Sequence, residues 1–108
     1  MKKFKLPCIH HDILVKFVSP RTLVRNFKRI LKKGETLQGA YSPERNTAYL
    51  KKNMEYIKSR HTLCHEWSHA LLDHLDIELS DEKEELVCDM LGTFLEKVVK
   101  DEYFEGML

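Results

Sequence analysis

An α+β fold, with strands in the first half and helices in the second, is what this sequence predicts, and three observations carry the prediction. Short apolar runs alternate with turn residues over the first fifty positions. Two long segments with apolar residues at helical spacing fill the remainder. The chain, at 108 residues, has room for one hydrophobic core, so residues 1–108 are expected to form a single domain. The composition, 43% hydrophobic and 32% charged, is that of a globular chain rather than a disordered or fibrous one.

Residues 3–7 and 12–19 read as two strands, the second as DILVKFVS, with HHD between them as a hairpin turn. Ser19-Pro20 punctuates the chain. From 21 to 33 the residues Leu23, Val24, Phe27, Ile30 and Leu31 recur at helical spacing among basic residues, and Gly34 follows as a helix stop. A second hairpin is expected from 36–41 and 47–52 around the turn SPERN, completing a small antiparallel sheet. In the second of these strands Thr47, Tyr49 and Lys51 alternate with Ala48 and Leu50, the pattern of a half-exposed strand able to receive an extended peptide. A helix over 56–75 carries Ile57, Cys64, Trp67, Leu71, Leu72 and Leu75 as its apolar side. Ser80 is a natural N-cap for a last helix over 81–102, whose stripe is Leu86, Val87, Met90, Leu91, Phe94, Leu95, Val98 and Val99.

Bulk properties bound the function. No apolar run approaches the roughly 18 residues of a membrane span, and the lysines at the N-terminus lack the apolar stretch of a signal peptide, so a cytoplasmic protein is expected. The three cysteines, Cys8, Cys64 and Cys88, form no CxxC pair and fit a reducing compartment as small buried side chains. The net charge of +1 conceals +9 over residues 1–33 and −8 over 34–108. The basic residues are scattered over several elements, which favours internal charge balance over a nucleic-acid partner.

The central helix contains His65-Glu66-Trp67-Ser68-His69, an HExxH pattern. Histidines four apart on a helix project from one face and can share a tetrahedral metal ion. The next residue is turned by about 100°, so the Glu66 carboxylate reaches a water beside the metal and can act as the catalytic base. His61 forms a rival pair with His65, but only His65 and His69 enclose a glutamate directly after the first histidine. A catalytic zinc site takes three protein ligands, and the next helix offers Asp81, Glu82, Glu84, Glu85 and Asp89. Gly92 inside that helix costs about 1 kcal/mol and implies a close helix approach on the side of Cys88 and Gly92. Asp89, four residues beyond Glu85, is placed to orient His65 or His69. Trp67 reads as a core anchor. His10, His11, Asp73 and His74 read as solvated or capping residues. Tyr41, Tyr49 and Tyr56 are the phenols available as oxyanion donors.

TLCHEWSHALLDHL followed by EELVCDMLGTFL resembles the ImmA/IrrE-type HExxH metallopeptidases and small zincin-like proteins of phages and prophages, over roughly residues 36–100. In that group the second helix has the form E-x-x-A-N-x-F-A, and its glutamate is the third ligand. The resemblance therefore places Glu85 at the ligand position, Cys88 at the alanine, Asp89 at the asparagine, Leu91 at the phenylalanine and Gly92 at the last alanine. It implies a zincin-like fold, a zinc-dependent peptidase with His65, His69 and Glu85 on the metal, a phage or mobile-element origin, and a protein or peptide substrate such as a regulatory protein. Two alternatives stand beside it. One is a zinc-binding but inactive interaction domain. The other is a nucleic-acid binder using Arg25, Lys28, Arg29 and Lys32, which ranks last because no recognition motif accompanies the charge.

Overall fold

The computed structural model of the protein describes residues 3–27 and 37–108. Four strands and four helices are found among them, in the order β1 (Lys3–Leu6), β2 (Ile13–Val18), α1 (Pro20–Phe27), β3 (Gly39–Ser42), β4 (Thr47–Lys51), α2 (Tyr56–His74), α3 (Asp81–Val98) and α4 (Asp101–Glu105). This is an α+β fold, as expected. The expected continuation of α1 to residue 33, with Gly34 as its stop, lies outside the described residues.

The sheet corrects one expectation. Its order is β1-β2-β4-β3, with antiparallel pairs at both ends and a parallel pair, β2 with β4, in the middle. Sequence reasoning finds two hairpins because each has a readable turn. The parallel join has no local signal, since it arises from the crossover through α1. Pro20 opens α1, where a missing N–H costs nothing, and the Ser19 hydroxyl caps it by accepting from the Thr22 N–H at 3.2 Å.

A central place also overturns the half-exposed reading of β4. Thr47, Ala48, Tyr49 and Leu50 are all buried. On one face Ala48 and Leu50 join Leu63, Cys64, Trp67 and Ala70 of α2 in the main core. On the other, Tyr49 packs with Val18 and Leu23 under Phe27 and Leu37. The strand lies between two layers, and neither alternating set meets water. The sheet edges are β1 and β3, and among the described residues no strand pairs with the outer side of either.

The helix expected over 81–102 is broken. Val99 turns to extended backbone (ψ 127), Lys100 follows, and α4 swings Phe104 and Met107 into the core beside Leu6, Ile13 and Trp67. Burying an aromatic side chain outweighs continuing a helix by one turn. The α3 stripe is corrected as well. Cys88 and Gly92 are its buried positions, whereas Leu86, Met90, Phe94 and Val98 face outward. No helix among the described residues is long and apolar enough to cross a membrane.

Candidate metal centre

The α2–α3 interface builds the site. Gly92 lies on the backbone of α2: a Cβ there would stand 3.2 Å from the His65 Cα and N and 3.3 Å from the Cys64 carbonyl carbon. A side chain there would crowd the α2 backbone, and the glycine lets the two helices meet closely at that height. The consequence is a ladder of side-chain pairs running in opposite chain directions. His61 meets Glu96, His65 meets Asp89 and Glu85, and His69 meets Glu85 and Glu84.

Within this ladder the carboxylate of Glu85 spans both motif histidines. Its Oε2 is 3.1 Å from His65 Nε2, and its Oε1 is 3.0 Å from His69 Nε2. His65, His69 and Glu85 each turn one donor atom to a common point, with those atoms all within 4.8 Å of one another. Ligands of a tetrahedral zinc lie roughly 3.3 Å apart at bond lengths near 2 Å, so a small contraction of two flexible rotamers suffices. The donor set is two imidazole nitrogens and one carboxylate, so a metal ion can be held here.

The far nitrogens of the rings are also occupied. His65 Nδ1 is 3.0 Å from Asp89 Oδ1, and His69 Nδ1 is 2.6 Å from Glu84 Oε2. A carboxylate at Nδ1 keeps the proton there and leaves Nε2 free to coordinate. Asp89 meets His65, one of the two histidines considered for it. Glu84 on His69 was not anticipated. It appeared in the sequence only as one of five acids, because deciding which ring each acid reaches requires the helix crossing that Gly92 sets. His61 is engaged with Glu96 at 3.1 Å and is not part of the converging group.

Glu66 lies beneath β3, within electrostatic reach of His69 and Glu85. Its carboxyl is buried, and desolvation pushes its pKa from the ordinary 4.5 up to about 7. His69 pulls against that rise, Glu85 adds to it, and the main-chain N–H of Tyr41 pulls against it. Gly39 allows β3 to sit this low, since a Cβ there would come within 2.6 Å of Thr62 Cγ2 and 3.5 Å of Glu66 Cγ. Burial first, and then the carboxylates of Glu84, Glu85, Glu66 and Asp89, push the Cys88 thiol up to about 12, so it is not a competing thiolate.

The three tyrosines are all committed elsewhere. Tyr41 donates to Asp73 at 3.1 Å, Tyr49 receives Arg45 at 3.3 Å, and Tyr56 donates to Asp101 at 3.3 Å. Trp67 is a core anchor whose indole N–H donates to the Pro7 carbonyl at 2.8 Å. His74 corrects its expectation of solvation. It is buried, accepts the His10 main-chain N–H at Nδ1 (3.3 Å), and pairs through Nε2 with Asn46 Oδ1 (3.2 Å). Asp73, read as solvated or capping, is exposed and receives the Tyr41 hydroxyl.

Comparison with protein-family models, curated proteins and solved structures finds no match to this chain.

Proposed function

We propose that this chain is a zincin-like, zinc-dependent peptidase with His65, His69 and Glu85 as ligands and Glu66 as general base. The observation that carries the reading is the convergence of one donor atom each from His65, His69 and Glu85, all within 4.8 Å of one another, with both Nε2 atoms on the Glu85 carboxylate and each ring backed by a further carboxylate at Nδ1. A zinc ion at such a site supplies Lewis acidity toward a carbonyl and lowers the pKa of a bound water toward neutrality.

The residues contribute the rest. Glu66, with a carboxyl pKa of about 7, is poised near neutral pH to take a proton from water and return it to a leaving amine. Glu84 and Asp89 hold the rings in the coordinating tautomer. The open side of β3, packed against Glu66 through Gly39, is the natural seat of an extended peptide. This moves the peptide-binding role from β4, whose backbone is paired on both sides, to β3. A protein or peptide substrate follows, and the motif resemblance points to a regulatory protein as target.

The test measures zinc content and peptide-library hydrolysis together, for wild type, His65→Ala, Glu85→Ala and Glu66→Gln. About one zinc per chain is expected in wild type and Glu66→Gln, with loss in the two ligand variants, and turnover only in wild type. Zinc retained by Glu85→Ala at unchanged affinity would remove Glu85 from the set. Zinc without turnover would leave a metal-binding interaction domain in place of a peptidase.

A further inference from the structure

One face of the sheet lies on α2 and the other carries α1, and the second face is basic over β1 and β2. Phe4, Val15 and Phe17 turn into the core with α2, so their neighbours Lys3, Lys5 and Lys16 lie on the α1 side. There α1 packs over β3 and β4, while Lys3 and Lys5 stay exposed and Lys16 is half-buried. Lys51, two residues beyond Tyr49, ends β4 on the same face, and Arg21 and Arg25 are exposed on α1.

The sheet register sets Lys3 directly opposite Lys16. Like charges so placed destabilise a sheet, and nothing described relieves them. Among the described residues no lysine forms an ion pair, and those found belong to Arg60 or to histidines of α2. The single acid of residues 1–33, Asp12, stands within electrostatic reach of Tyr103 on α4. Charge balance by local pairing, expected from the sequence, is therefore not found for these lysines.

We propose that this face binds the phosphate backbone of duplex nucleic acid without reading its sequence. A duplex carries about one negative charge per 1.7 Å of its axis, and a bound polyanion turns the repulsion between Lys3 and Lys16 into attraction. Single strands are held by stacking on aromatic side chains as well as by charge. This face offers no such platform: Tyr49 is buried, and the large exposed aromatics, Phe94 and Tyr103, belong to α3 and α4. A membrane-surface site adds apolar side chains that enter the lipid, but among the large exposed apolar residues the strands contribute none and α1 only Val24. The sheet stands between these lysines and α2, so the inference does not rest on metal binding or on catalysis.

Fluorescence anisotropy tests it, with the full chain in chelator and a labelled duplex of about 20 base pairs, from about 50 mM to about 200 mM salt. Wild type is expected to bind at about 1–100 µM in the lowest salt. Its affinity should fall with a log–log slope of about −3, the value for three to four phosphates. Lys16→Glu is expected to weaken binding at least tenfold and to reduce the slope by about one. The same substitution sets a carboxylate opposite Lys3, so Tm should rise by a few degrees, which separates lost binding from lost fold. Lys97→Glu, on α3, should leave binding within about twofold of wild type. No binding in the lowest salt would overturn the proposal, as would equal losses from Lys16→Glu and Lys97→Glu, which would mean net charge alone. Tighter binding to a single strand of the same length, or to anionic vesicles without duplex binding, would overturn it too.

Discussion

Glu84 and Asp89 stand on one helix and each meets the Nδ1 of a different histidine, at 2.6 Å on His69 and 3.0 Å on His65. They differ in setting. The Glu84 side chain is 36% exposed and that of Asp89 is 65% exposed, so water competes less for the first hydrogen bond. An orienting carboxylate raises the basicity of the ligand and fixes its tautomer, and its loss typically costs 10- to 100-fold in metal affinity. Glu84→Ala is therefore expected to weaken zinc binding by roughly 30-fold and Asp89→Ala by roughly tenfold. Competition against a chromophoric chelator reads both. An equal and negligible effect would mean that the carboxylates merely neutralise charge. Their visibility in the sequence was uneven. HExxH makes His65, Glu66 and His69 readable from spacing alone, because all three lie on one helix of known pitch. Asp89 follows from a four-residue step, whereas assigning Glu84 to His69 requires knowing how two helices cross.

At the scale of the element, Gly92 is the position where helix propensity and packing conflict. Alanine would favour the helix by about 1 kcal/mol, but its Cβ would press on the His65 backbone at 3.2 Å. A larger side chain has no room without moving α3 outward. Gly92→Val is expected to destabilise the fold by roughly 1–3 kcal/mol, a fall of about 5–15 °C in Tm. It should also lose zinc binding, because Glu85 moves away from His65 and His69 together. Thermal denaturation with and without zinc checks this, and zinc affinity unchanged in the variant would show that the helices do not need this contact. The same glycine explains how α3 was read. A large apolar stripe is the usual sign of the buried face, yet here that face is assigned to small residues by the need for close approach. Half of the stripe, Leu86, Met90, Phe94 and Val98, is left at the surface, while Leu95 and Val99 pack against the core. Element identities and most boundaries were legible because turn and cap residues are local. The parallel pairing, the break at Val99 and the covering of β4 on both faces were not, since each is decided by distant partners.

Three distant segments of the chain meet at His74. The turn after β1 brings His10 and His11, the turn before β4 brings Asn46, and the end of α2 brings Asp73 and His74 itself. His74 accepts at Nδ1 from the His10 N–H, while the Asn46 side-chain amide donates to His11 Nδ1 at 2.9 Å and to the Asp12 carbonyl at 2.8 Å. The clasp requires a neutral His74 ring, with Nε2–H donating to Asn46. Burial, followed by the neighbouring His11 and His10, holds its pKa below the usual value, against the opposing pull of Asp73. The sign follows from linkage. The unfolded chain protonates His74 near pH 6.5 and the folded chain only at lower pH, so stability present above that value is lost as pH falls toward the folded pKa. Glu66 acts in the opposite direction. Its folded pKa of about 7 lies above the ordinary 4.5, so its contribution is full below 4.5 and is lost as pH rises through about 7. In the metal-free protein the two contributions oppose each other over the same acidic window. Urea denaturation in chelator, at about pH 7.5 and about pH 5.5, is expected to separate them. Relative to wild type, His74→Gln should shift the change in midpoint upward as acid is added, because the loss term is gone. Glu66→Gln should shift it downward, because the compensating gain is gone. Equal slopes in the two variants would show that neither group differs in proton affinity between the folded and unfolded chain.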